Sequence, residues 1–313
     1  MVQFTIKKLF VYLLLGFILW VPTAPATAGT IDEEELLIDF FWQKYLSLPA
    51  AEKPKVALVL GGGGARGLAH AGVVQVFAEE LLPVDIIVGT SVGALIGSLY
   101  AAGVPADTIV DMAQNMTWNK LVSFKISPVG LYSTKRMEEY VSKYIGNKRF
   151  DELKIPFACV AVDIRNGEKI ILKEGQVAPA VRASSTMPGL FQPVEYRHRL
   201  LMDGGIIDNV PADVAKLMGA DIIIAVDVTA EVGIAKTNNA LLILSQVIYI
   251  RGNFLAQEQL KLADLVISPD VKNITVSELN RGVECVDAGI IATRAKVKQI
   301  KKVILNKVWD KLQ

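Results

Sequence analysis

The sequence predicts an α/β domain, and three observations carry that reading. The apolar run Val56–Leu60 leads through a glycine turn into a helical pattern over residues 68–82 that Pro83 closes. A second run, Ile86-Ile87-Val88, leads through another glycine turn into a helical pattern over residues 92–102 that Gly103 ends. Further strand-like runs at residues 157–162, 169–172, 200–202 and 221–228 repeat the alternation, as expected for one domain and not several. With 313 residues and 52% hydrophobic content the chain can bury a full core, and it carries no internal repeat or low-complexity tract.

In chain order, the first segment stands apart. Lys7 and Lys8 precede an apolar stretch over residues 9–21, and Ala26-Thr27-Ala28 offers small residues at the spacing a signal peptidase cuts. The stretch is short for a membrane span, so residues 1–28 are expected to be an export signal, an uncleaved anchor being the other reading. Export would place the protein in the periplasm or outside the cell. Residues 29–54 hold a helix candidate, 33–48, bearing Leu37, Phe40, Phe41, Trp42 and Tyr45; it fits either a helix packed on the domain or one lying at a lipid interface. Residues 55–313 then form the main domain, the C-terminal helix included. The whole chain's formal charge of +1 falls to about −1 without Lys7 and Lys8, which argues against nucleic acid as a partner. Of the two cysteines, Cys159 lies in a buried-strand pattern, so a free core thiol is expected over a disulfide with Cys285.

The glycine turns carry the chemistry. Gly61-Gly62-Gly63-Gly64-Ala65-Arg66-Gly67 lets the backbone bring several N–H donors close to one group, with a helix N-terminus behind them: a phosphate cradle or an oxyanion hole. Gly89-Thr90-Ser91-Val92-Gly93 is a G-x-S-x-G elbow in the required strand-to-helix context, where Oγ projects from a sharp bend. On its own, Ser91 also fits a helix N-cap. A serine hydroxyl needs a base. The chain has only two histidines, His70 inside the first helical pattern and His198, so a carboxylate must be considered. Asp203, at the end of Leu200-Leu201-Met202 and followed by Gly204-Gly205, sits where an open α/β sheet gathers reactive groups, although Asp-Gly-Gly also fits an ordinary turn. Asp163 and Asp227 read as turn or cap residues.

Taken together, Gly62-Gly63-Gly64-Ala65-Arg66-Gly67, Gly89-Thr90-Ser91-Val92-Gly93 and Asp203-Gly204-Gly205 resemble the signature blocks of the patatin-like phospholipase family, in the same order and spacing. The resemblance extends through Val181-Arg182-Ala183-Ser184-Ser185-Thr186-Met187-Pro188-Gly189 and Asp208-Asn209-Val210-Pro211, and covers residues 55–228. It implies a three-layer α/β/α domain with a mostly parallel sheet, Ser91 as nucleophile, Asp203 as a base acting without histidine, and an oxyanion hole from Gly62, Gly63 and Gly64 with Arg66 nearby. It further implies hydrolysis of phospholipid or lysophospholipid esters, with no metal and no cofactor.

Two segments bear on the substrate. Residues 116–132, with Trp118, Leu121, Phe124 and Ile126, show no clear periodicity and fit a cap over an acyl pocket as well as ordinary loop packing. Near the end, Lys296, Lys298, Lys301, Lys302, Lys307 and Lys311 alternate with Val297, Ile300, Ile304 and Val308 at helical spacing; such a helix fits peripheral membrane contact or a solvated closing helix.

Other functions make distinct demands. A triad of Ser91, Asp163 and His198 has the chain order of α/β-hydrolases. Gly62, Gly64 and Gly67 satisfy a dinucleotide fingerprint, but Asp85 precedes the second strand where an acid should follow it. A noncatalytic lipid-binding scaffold is opposed by the intact Ser91 and Asp203.

Overall fold

Runs that are apolar at every position suit strands covered on both faces, and the central strands here are of that kind. The computed structural model describes residues 33–229 and 240–312, so the export-signal expectation for residues 1–28 lies outside the described residues. In chain order the first half forms α1 (Glu33–Leu46), β1 (Val56–Leu60), α2 (Ala69–Glu79), β2 (Ile86–Thr90), α3 (Val92–Ala101), α4 (Ala106–Gln114), α5 (Trp118–Leu121), the hairpin β3 (Ser123–Ser127) and β4 (Gly130–Ser133), and α6 (Lys135–Ile145). The second half forms β5 (Phe157–Asp163), β6 (Glu168–Leu172), α7 (Val177–Ser184), β7 (Val194–Tyr196), β8 (Arg199–Asp203), α8 (Ala212–Leu217), β9 (Ile222–Val226), α9 (Ala240–Leu260), β10 (Leu265–Ile267), α10 (Gly282–Arg294) and α11 (Val297–Leu312). The chain divides into a unit ending at Asp39 and a body beginning at Phe40.

The main sheet runs β10-β9-β1-β2-β5-β8-β7, with β6 also on β5. The five strands from β10 to β5 are parallel; β6, β8 and β7 are antiparallel additions. Alternate residues point to opposite faces. Leu58, Leu60, Ile87 and Cys159 enter one apolar cluster with helices α2, α3 and α7, whereas Ala57, Val59, Val88 and Val160 enter a second with α8 and Ala256 of α9. Helices therefore cover both faces, giving the three-layer arrangement that the resemblance implies.

The pairing of β5 sets up everything that follows. β6 runs along one edge, from Cys159↔Leu172 to Asp163↔Glu168. The other edge is shared: β2 takes it up to Thr90↔Val160, and β8 takes over at Ala161↔Asp203. Two strands of opposite direction thus meet end to end, and both finish at the same point.

The open readings at the chain ends resolve toward packing. Trp42 and Tyr45 of α1 are buried and stack with ring centroids 4.8 Å apart, while Phe40 is exposed. In α11, Ile300, Ile304 and Val308 are buried, Lys301 pairs with Glu80 at 3.3 Å and Lys311 with Asp221 at 2.8 Å. The apolar side of that basic helix is spent on the domain. Residues 116–132 form α5 and most of the hairpin, structure their sequence pattern did not disclose. Both cysteines are buried and unpaired. Burial pushes the Cys285 thiol up to about 12 and raises that of Cys159 further.

Close approach of α3 to β1 makes one glycine indispensable. A Cβ on Gly93 would meet the Leu60 carbonyl oxygen at 2.1 Å. Gly93→Ala should therefore cost about 3 kcal/mol by urea unfolding, at the upper end of overpacking penalties. Gly219→Ala meets no neighbouring atom and bears only its positive φ of 88°, so about 1 kcal/mol is expected there.

Candidate active site

Three chain segments meet at the carboxyl end of the parallel strands. From β2 the chain turns through Ser91, whose φ of 55° and ψ of −124° lie outside the usual regions for an L-residue. That bend is held by its own N–H, which donates to Ser184 Oγ at 3.1 Å, while Ser184 Oγ donates to the Val160 carbonyl at 2.6 Å. Ser184 ends α7, so the strained serine is tied through one hydroxyl to the central strand.

Asp203 ends β8. Its carboxylate accepts from the Gly205 N–H at 2.8 Å, its backbone N–H donates to the Thr186 carbonyl at 2.9 Å, and it lines the same cavity as Ser91. Burial pushes its pKa up to about 6, the nearby Ser91 hydroxyl and the Gly205 amide offsetting part of that rise. Part of its surface faces the cavity.

The glycine loop follows β1. Gly61 donates to Val226 at 3.2 Å and Gly62 to the Asn209 carbonyl at 2.9 Å, while Ala65 donates to Val276 at 2.9 Å. The Gly62 amide is therefore committed to the protein, which corrects its expected part as an oxyanion donor. Among the described residues, the N–H groups of Gly63 and Gly64 have no protein acceptor. Gly64 adopts φ of +57°, and a Cβ there would meet the Val276 carbonyl oxygen at 2.5 Å, so position and backbone both demand glycine.

Asn209 joins the loop to the aspartate segment twice. Besides accepting through its carbonyl, it donates from Nδ2 to the Gly62 carbonyl at 3.1 Å. Its neighbour Asp208 is buried against Lys169 at 3.0 Å, and burial pushes its carboxyl up to about 7. The Asp208 carbonyl accepts from Thr90 Oγ1 at 3.0 Å, one residue before Ser91. Arg66 is buried at the cavity wall with its guanidinium 4.6 Å from the Tyr249 ring centroid.

These groups line a cavity of about 500 Å³. Its walls include the apolar side chains of Leu95, Trp118, Leu121, Met137, Met187, Phe191, Ile274 and Leu279, with Tyr249 and Gly252 from α9. Its lining is mostly apolar, with Ser91, Asp203 and Arg66 among the polar groups, as expected of a site for a largely apolar ligand.

Neither histidine belongs to it. His70 is fully buried, its Nε2 lies 2.7 Å from the Gly61 carbonyl, and burial pushes its pKa down to about 4, so it is a neutral tether of the loop. His198 sits exposed in the turn between β7 and β8 with φ of 65°. That is the opposite end of β8 from Asp203, a strand that spans about 13 Å at strand rise. Asp163 is turned toward Arg199, 3.6 Å away, and caps the Arg165 N–H at 3.1 Å. The Ser91/Asp163/His198 triad is not assembled. The dinucleotide reading also fails locally, because Asp85 is occupied as acceptor for the Val56 N–H at 2.8 Å. Asp227 caps Thr229 at 2.9 Å, the turn role its sequence suggests.

A family model described as patatin-like phospholipase matches residues 58–216. An uncharacterized NTE family protein from Mycobacterium tuberculosis is 35% identical over 195 residues, 61% of this chain and 54% of the relative. The lysophospholipase nte1 of Aspergillus fumigatus is 36% identical over 179 residues, 55% of this chain and 12% of that protein. The chain thus spans about half or less of the length of these relatives. Among solved structures, VipD from Legionella pneumophila superposes with a TM-score of 0.49 and 14% identity, over 81% of this chain and 67% of that one.

Proposed function

The chain belongs to the patatin-like phospholipase family, and on that premise we propose that it cleaves carboxyl esters of phospholipids or lysophospholipids through a Ser91–Asp203 dyad and an acyl-enzyme. The observation that carries the reading is that Ser91 and Asp203 line one largely apolar cavity together with the glycine loop, whose Gly63 and Gly64 N–H groups have no acceptor among the described residues.

In this scheme Ser91 Oγ attacks the ester carbonyl carbon as its proton passes to Asp203. The carbonyl oxygen takes up the negative charge and is held by the N–H groups of Gly63 and Gly64; losing one such donor typically costs about 10²- to 10³-fold in turnover. Asp203 then returns the proton to the leaving alkoxide. Water, deprotonated by the same carboxylate, releases the acyl group. A carboxylate of ordinary pKa is a weak base, and burial that raises it to about 6 improves proton acceptance while leaving it ionised at neutral pH. Residues 1–28, read as an export signal, would deliver the enzyme outside the cytoplasm. Its mature N-terminus is expected at Gly29 by sequencing of the secreted chain, and an intact Met1 start would refute this.

Labelling with a fluorophosphonate probe tests the dyad. Wild type should label, Ser91→Ala should not, and Asp203→Asn should slow labelling by roughly 10²-fold or more. His198→Ala should stay within about twofold. A dead His198→Ala variant with active Asp203→Asn would overturn the dyad in favour of a histidine base.

The raised pKa of Asp203 fixes the acid limb. The reactive form is the carboxylate, which predominates above about pH 6, so kcat/KM should fall tenfold per unit below that point and level off above it. The limb should persist in His198→Ala. An inflection near pH 4 would show that the base is an unperturbed carboxylate.

A further inference from the structure

The hairpin of β3 and β4 exposes more apolar surface than its size explains. Phe124 is 67% exposed, Ile126 71%, Val129 62% and Leu131 38%. Phe124, Lys125 and Ile126 are exposed in succession, so both faces of β3 meet solvent. A two-stranded ribbon is marginal in water unless something covers an apolar face, and such clustered exposure marks an interaction surface.

Its position and charge identify the occupant. The hairpin is fastened to the cavity rim: Leu131 and Tyr132 N–H both donate to the Leu190 carbonyl at 3.1 Å, Gln192 N–H donates to Tyr132 at 2.9 Å, and Gln192 Nε2 donates to the Lys125 carbonyl at 2.6 Å. Between those anchors Phe191 lines the cavity and meets Trp118, ring centroids 6.2 Å apart. The stretch 115–137 carries Lys120, Lys125, Lys135 and Arg136 and no acidic residue. Lys120 and Arg136 donate to the backbone carbonyls of Asn115 and Asn119, and among the described residues none of the four cations is in an ion pair. Apolar side chains projecting from a locally basic rim match an anionic bilayer, whose headgroups take the cations and whose acyl region takes the apolar tips.

We propose that the β3–β4 hairpin is the membrane-docking element, inserting Phe124, Ile126 and Val129 into an anionic lipid surface so that the cavity mouth opens against the substrate layer. The proposal rests on the lipid hydrolase reading for its purpose, though not for its detection.

The test is a local one. Cys159 and Cys285 are buried, so in Ile126→Cys an environment-sensitive fluorophore goes to position 126, and it reports only its own surroundings. With phosphatidylglycerol vesicles its emission should rise and shift to the blue, with apparent affinity at least tenfold above that for phosphatidylcholine vesicles. The double variant Phe124→Ser/Ile126→Ser should lose at least tenfold in hydrolysis of vesicle phospholipid and stay within twofold on a monomeric short-chain ester. An unchanged signal at 126, equal affinity for neutral vesicles, or an equal loss on both substrates overturns the proposal. So does a label at Val247, on the exposed side of α9, that responds when position 126 does not. Insertion at 126 in a protein that hydrolyses neither substrate would sustain docking and refute the hydrolase.

Discussion

One edge of one strand governs this molecule. β5 is long enough to pair with β2 through Val160 and with β8 from Ala161 onward, so a parallel and an antiparallel neighbour abut on the same edge. Their terminal residues, Thr90 and Asp203, become neighbours across adjacent positions of β5, and Ser91 follows at once. Proximity between a hydroxyl and a carboxylate from remote parts of the chain is thereby built into backbone hydrogen bonding and needs no flexible loop to close. Any change that shifted the β8 register by one residue would turn Asp203 to the other face of the sheet.

A second layer of constraint ties the glycine loop to the same point. Asn209 uses both its main chain and its side chain on Gly62, and Asp208 receives the Thr90 hydroxyl. The segment after Asp203 therefore braces both glycine turns. Gly62 gives up its donor to this brace, which leaves Gly63 and Gly64 with the N–H groups that remain open. The loop's rigidity and its chemistry are divided between successive residues.

How much of this was legible in the sequence depends on what each residue answers to. β1, β2 and β5 were legible because burial on both faces forces uninterrupted apolar runs, and the elbow because a strained serine between glycines leaves few alternatives. Asp203 could be singled out by its strand-end position, but its pairing with Ser91 only through the family resemblance, since end-to-end pairing on β5 is a tertiary fact. Ser184 and Asn209 act through hydrogen bonds to residues far off in the chain, and no local pattern marks a serine or asparagine for that task. The hairpin was missed because the polar–apolar alternation of Ser123-Phe124-Lys125-Ile126-Ser127 covers only five residues of a stretch without clear periodicity. Because its apolar side faces outward, that alternation did not announce a core strand. α9 was missed for a related reason, being apolar nearly all round.

The two unpaired thiols have a bearing on where such a chain can be assembled. Each is shut inside the core and held in its protonated form by its surroundings, so neither is an efficient partner for oxidants or for exchange. Stability here owes nothing to a covalent cross-link among the described residues. The folded body accordingly holds no disulfide whose formation or reduction would change its stability.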